Sequence, residues 1–194
     1  MKIVTVPSYT LRQPSTPVTR ADRALRRLLT QLQATLIHSD IGVGLAAPQL
    51  DANIRLIAIN LPKKSNPEIP EYRYFINPSI TKYDQKQALT SRADGQADLE
   101  GCLSIPHVYA PVLRPVSIEL DYDVLDSTGS LAHRHERFTD FAARVIQHEA
   151  DHLDGRLFTD HALTQNQPLY LENEAGELER ITVRDLYELF GGEF

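Results

Sequence analysis

The chain has one cysteine in 194 residues. A single thiol cannot close an internal disulfide, which fits the reducing cytoplasm and leaves that sulfur as either an inert core atom or a chemical group. Long apolar runs are missing too. Nothing approaches the roughly eighteen consecutive apolar residues of a membrane span, so no membrane partner is expected. The opening stretch Met1–Ser15 carries one lysine and no extended apolar segment, so it does not read as a signal peptide. Nor is there an excess of cations. Twenty Lys and Arg against twenty-six Asp and Glu give a net charge of −6, which predicts a soluble protein and offers no electrostatic reason for nucleic-acid binding. Gly and Pro are not in excess, and repeats, low-complexity tracts and linkers are absent. The expectation is one globular domain over residues 1–194.

What is there alternates irregularly between helical and strand periodicity. Leu25, Leu28, Leu29, Leu32, Leu36 and Ile37 recur at three- and four-residue steps and predict a core-packed helix over Ala21–His38. Ile54–Ile59 reads as a strand, Leu61–Pro70 as a Pro-rich loop, and Tyr72–Ile76 as a further strand that Asn77-Pro78 turns. Residues 84–99 are polar and predict a surface excursion. Val116–Val124 alternates like a half-buried strand, with Asp126–Gly129 as turn and Leu131–Phe138 as its hairpin partner. A second helix is predicted over Phe141–Leu153, stopping near Gly155. The tail from about residue 160 predicts a hairpin around Asn173–Gly176 and a short helix over Val183–Phe190. Helices separated by hairpins, without regular βαβ alternation, place the fold in the α+β class.

The sharpest feature is His148-Glu149-Ala150-Asp151-His152. On a helix, residues four apart lie one above the other, so both imidazoles can reach one metal ion, with Glu149 beside them to move protons on an activated water. Phe141, Val145, His148 and His152 fall on one face, which begins apolar and becomes metal-binding, as the floor of a pocket would. A catalytic site usually takes a third protein ligand. His133 and His135 are near, on a probable strand; Glu172 or Glu174 would suit a peptidase; Cys102 is the lone thiol. A lone cysteine is more often a small buried hydrophobe than a ligand, so the third ligand stays open at this point.

Three segments, Gly42–Gln49 (GVGLAAPQ), Glu100–Ser104 (EGCLS) and Gln147–Gly155 (QHEADHLDG), together resemble the signatures of the peptide deformylase family, over residue 1 to roughly residue 160. The resemblance implies an α+β, deformylase-like fold, with the HExxH helix central among antiparallel and mixed sheets. It further implies Cys102, His148 and His152 as metal ligands and Glu149 as general base, then general acid, on a metal-bound water. Gln49 and the Leu103 N–H would stabilise the oxyanion, and the Gly44 carbonyl would receive the substrate backbone. The implied reaction removes the formyl group from formyl-methionyl nascent chains near the ribosome and releases formate. The implied metal is ferrous iron, for which Zn, Ni or Co can substitute, and a thiolate on iron predicts activity that fades in air. Val43, Phe141 and Val145 are candidates for the apolar methionine pocket, against simple core packing. Asp151 and Arg114 are expected to pair and orient the histidines. Tyr109 stands where many members carry Arg, the 84–99 excursion is longer than in compact members, and the tail lacks a long C-terminal helix. Rival readings are an HExxH zinc peptidase, a non-catalytic deformylase-like peptide-binding protein, and a structural zinc module with four protein ligands.

Overall fold

A computed structural model of the protein describes residues 2–39, 42–63, 66–89 and 99–191. Helix α1 (Arg23–Ile37) begins where the Asp22 carboxylate accepts the Leu25 N–H at 2.9 Å, two residues later than the apolar spacing predicts. An acid at that place satisfies an orphan donor and meets the positive end of the helix dipole. Leu25, Leu28, Leu32 and Leu36 are buried along one face of it. The strands follow as β1 (Gly44–Ala46), β2 (Leu56–Lys63), β3 (Asn66–Tyr83), β4 (Gln87–Ala88), β5 (Glu100–Cys102), β6 (Ile105–Ala110), β7 (Arg114–Pro115), β8 (Ser117–Leu125) and β9 (Leu131–Thr139). After them come α2 (Asp140–Leu153), α3 (Phe158–Thr164), β10 (Leu169–Glu172), β11 (Leu178–Ile181) and α4 (Val183–Phe190).

One antiparallel sheet has the order β1-β2-β3-β8-β9, a second β11-β10-β6-β5, and a small one pairs β4 with β7. In β2, Ile57 and Ile59 face the cluster that includes Ala143, Val145 and Ile146 of α2. Leu56 and Ala58 face the cluster around α1. Burial on both faces explains why this strand reads as a continuous apolar run. β8 alternates instead: Ile118, Leu120 and Tyr122 point into the α2 cluster while the acids between them face outward. The second sheet packs Ile105, Val108 and Leu169 against Phe158 of α3 and Leu186 of α4. Helix α2 lies among these layers, and Gly155, at φ 69, ends its approach where a Cβ would stand 2.6 Å from the Arg12 carbonyl oxygen. The fold is α+β, and its antiparallel pairings set the HExxH helix at the centre.

Two expectations are corrected. Leu61–Pro70 is not an open loop, since β2 runs to Lys63 and β3 starts at Asn66, with a register shift after Pro62. Asn77-Pro78 does not turn the chain; the strand bulges between Ile76 and Ser79 and continues to Tyr83. Asn77 takes φ 52, a conformation Asn tolerates, and its side chain replaces lost ladder bonds by accepting the Val18 N–H at 2.7 Å and donating to the Val18 carbonyl at 2.9 Å. Of the polar excursion, Gln87–Ala88 pairs with Arg114–Pro115, and residues 90–98 lie outside the described part. The tail forms the expected hairpin and short helix, while α3 has no counterpart in the sequence reading. Among the described residues, no helix is long and apolar enough to cross a membrane.

Candidate metal centre

His148 and His152 lie one turn apart on one face of α2, edge-to-face with ring centroids 5.3 Å apart and planes at 80°. Cys102 arrives from the end of β5, where the tight β5–β6 connection pairs Cys102 with Ile105. Its Sγ lies 3.2 Å from His152 Nε2, and the ligand atoms of Cys102, His148 and His152 all fall within 4.8 Å of one another. Burial opposes ionisation of the Cys102 thiol, but the His152 charge and hydrogen bonds from both histidines outweigh it and hold the thiol well below its ordinary range. The same sulfur and Glu100 raise His148, against the effect of burial. A thiolate, two imidazoles and a displaceable proton suit a divalent cation. His152 turns Nε2 to the Cys102 sulfur, and Glu149 Oε2 is buried without a hydrogen-bond partner, so the residues present fit such a group.

Glu149 faces the same cavity and is almost fully buried. Burial pushes its carboxyl up to about 7, against the pull of the His148 and His152 charges. A group near neutrality can both take and return a proton. Gly44 of β1 presses on it: an added Cβ would stand 2.3 Å from Glu149 Oε1. Gln49, in a short 3-10 turn over Ala47–Leu50, is buried and accepts the Ala46 N–H at 2.8 Å. That fixes its amide so that Nε2 donates towards Cys102 Sγ at 3.5 Å and Ser104 Oγ at 3.2 Å. Leu103, Val43, Phe141 and Val145 all line this cavity of about 580 Å³. Val43 and Phe141 are exposed at its wall, whereas Val145 also belongs to the core cluster beneath the sheet.

The Arg114–Asp151 pair forms at 2.8 Å, and its link to a histidine of the Cys–His–His group runs through Glu100 rather than directly from Asp151. His148 Nδ1 instead meets Glu100 Oε2 at 3.1 Å. Glu100 also accepts Arg114 Nε at 2.7 Å, Arg114 Nη2 at 2.9 Å and Arg144 Nη1 at 2.5 Å, while Asp151 adds His161 at 3.0 Å. Burial would raise the Glu100 carboxyl, yet the Arg114 charge and bonds from His148 and Arg114 hold it well below the usual carboxylate range. A signal for Glu100 was present: residues two apart on a strand share a face, so Glu100 and Cys102 project together from β5. Of the other ligand candidates, His133 and His135 sit exposed on β9 beside Asp123 and Asp121, and Glu174 lies in the tail turn. Glu172 lines the cavity outside the Cys–His–His group.

An HExxH helix, a strand thiolate and a buried carboxylate opening on one cavity define a metal-dependent hydrolase. The comparisons make the assignment particular. Residues 1–168 match the family described as Polypeptide deformylase. A peptide deformylase of Mesorhizobium japonicum is 38% identical over 159 residues, covering 82% of each chain. Among solved structures, a probable peptide deformylase from Synechococcus phage S-SSM7 superposes with a TM-score of 0.70 at 34% identity, covering 83% of this chain and 99% of that one. A Met-Ala-Ser-bound class I type b peptide deformylase from Acinetobacter baumannii gives 0.68 at 28% identity, covering 82% and 96%. This chain belongs to the polypeptide deformylase family, metal-dependent hydrolases that remove the N-formyl group from nascent polypeptides. Strands β10 and β11 and helix α4 lie beyond the matched residues.

Proposed function

We propose that this chain deformylates formyl-methionyl peptides at the cavity beside Cys102, His148 and His152, with Glu149 as its proton carrier. The observation that carries the reading is the buried Glu149 carboxylate, its Oε2 without a hydrogen-bond partner, opening on the same cavity as the Cys–His–His donor set. Cys102, His148 and His152 would hold one divalent cation, which supplies a Lewis acid and lowers the pKa of water towards neutrality. Glu149 accepts a proton from the attacking water and later passes it to the departing amine. The Gln49 amide, pinned by Ala46, and the Leu103 N–H donate to the oxygen on which charge develops. The Gly44 carbonyl takes the substrate backbone, and Val43, Phe141 and Val145 line the methionine pocket. Ferrous iron is the proposed native metal, with Zn, Ni or Co able to substitute because selectivity at such donors follows supply and geometry. The proposed setting is the cytoplasm, on nascent chains near the ribosome.

The peptidase alternative needs a carboxylate or imidazole as third ligand. Among the described residues the Cys–His–His group is the one that brings three ligand atoms together, which favours Cys102. The test is formate release from a formyl-Met tripeptide by protein prepared anaerobically with iron, or loaded with nickel. Glu149→Gln should lower kcat by roughly 10²–10⁴-fold with metal retained, and Cys102→Ser should lose metal. Turnover that survives Glu149→Gln would refute its role. A folded, metal-loaded wild type without turnover would leave the non-catalytic peptide-binding reading.

A further inference from the structure

The cavity has one wall that the family match does not reach. Residues 1–168 match, yet Glu172, from β10, lines the same cavity as His148 and Glu149. Its placement follows from strand register. β10 pairs antiparallel with β6 through Tyr170↔Tyr109 and Leu171↔Val108, so the next step brings Glu172 opposite His107. Glu172 Oε2 lies 3.5 Å from His107 Nδ1 and accepts the Tyr109 hydroxyl at 3.2 Å. Tyr109 in turn lies over Gly101, where an added Cβ would meet its ring at 2.7 Å, one residue before the ligand Cys102. Glycine at 101 therefore lets the aromatic ring settle against β5. The result is a continuous wall running from Cys102 through Gly101 and Tyr109 to a carboxylate supplied by the tail.

The charges along that wall are one-sided. Among the described lining residues, Arg144 is the one Lys or Arg, and it is committed to Glu100 and to the carbonyls of Val112 and Ala88. Glu172 is about one-third exposed at its side chain, open enough to meet an incoming group and shielded enough to be screened less than a free surface acid. Its two protein neighbours are a neutral hydroxyl and an exposed imidazole. A lysine or arginine side chain on the peptide, downstream of its methionine, would find an acceptor here; an acidic side chain would meet repulsion and, among the described lining residues, no free guanidinium.

We propose that Glu172 is a specificity-determining residue through which the C-terminal hairpin gives this enzyme a preference for formyl-methionyl peptides with basic residues after the methionine. The inference rests on the deformylation reading above and concerns the same cavity. The test compares kcat/KM at low salt for C-terminally amidated formyl-Met-Lys-Lys, formyl-Met-Ser-Ser and formyl-Met-Glu-Glu. Wild type should rank them Lys over Ser over Glu, with roughly three- to fivefold per step, and 0.5 M salt should compress the spread. Glu172→Gln should collapse the spread, and Glu172→Lys should reverse the order. Each is read as a ratio within one protein, so partial loss of active enzyme does not enter. Turnover of the Ser peptide with no ranking in wild type, or the same ranking in Glu172→Gln, overturns the inference while deformylation stands. No turnover of any of the three sinks the deformylation reading and the inference with it.

Discussion

Glu100→Gln separates the architecture beneath the metal from the metal ligands themselves. The substitution keeps shape and one acceptor oxygen but removes a buried charge that faces Arg114, Arg144 and His148. In the wild type, two guanidinium groups are balanced by Glu100 and Asp151. After the change, two buried cations share one carboxylate, and the new amide group must point a donor at another donor. Removing one partner of a buried pair typically costs about 3–5 kcal/mol. The retained oxygen argues for the lower end, about 3 kcal/mol, or a Tm lowered by roughly 6–12 °C for a chain of this size. His148 also loses the group that orients its ring, so metal affinity should fall about 10–100-fold. The assay is thermal unfolding of the metal-loaded protein together with competition against a chelator of known affinity. Asp151→Asn is the control. It touches Arg114 and His161 but neither His148 nor His152, so it should cost less stability and leave metal affinity within about twofold. Metal affinity in Glu100→Gln within threefold of wild type, or an equal loss in Asp151→Asn, would refute the role given to Glu100.

Three further outcomes are expected. Gly44→Ala should lower kcat by about tenfold or more with metal content intact, because its Cβ would stand 2.3 Å from the Glu149 carboxylate and a displaced proton carrier is costly; unchanged kcat would show that Glu149 can move freely. Stripping the metal should lower Tm by roughly 5–11 °C under conditions where free metal is about a hundredfold above its Kd, since a ligand that binds only the folded state adds about 2.7 kcal/mol; coincident melts with and without chelator would count against a folded-state site at Cys102, His148 and His152. The β8–β9 turn should weaken in acid. Asp126 is held below its ordinary value by the Thr128 hydroxyl and by backbone N–H groups, including that of Ser130. Its contribution is present in full above the unfolded pKa of about 3.9 and is lost as pH falls through the lower folded value. Urea midpoints between pH 2.5 and 6 should therefore fall more steeply on acidification in wild type than in Asp126→Asn; parallel curves would dispose of this.

The parts of this protein that sequence exposes are those where one local pattern has one physical meaning. The i, i+4 histidines could be set on a shared helix face because helix geometry alone dictates it, and the alternation of Val116–Val124 marked β8 because one face of that strand meets α2 and the other does not. Asn77-Pro78 misled for the opposite reason. The dipeptide is a turn signal only if nothing long-range competes, and here the Val18 backbone pairs with the Asn77 amide and the strand continues past it. Spacing alone leaves the third ligand candidate open, because Cys102 meets the α2 histidines only through the β5–β6 register. The Arg114–Asp151 pairing is legible, but the carboxylate that carries Arg114's effect to His148 is Glu100, which strand parity places on the Cys102 face. Glu172 shows the limit most plainly. In sequence it is one more acid in a polar tail, weighed only as a peptidase ligand. Its place at the cavity wall depends on three separate pairings, β10 on β6, β6 on β5, and Tyr109 over Gly101. No single-residue pattern encodes that chain of contacts. Under the proposed role of Glu172, a tail outside the family's matched residues sets which peptides are favoured without touching Cys102, His148, Glu149 or His152.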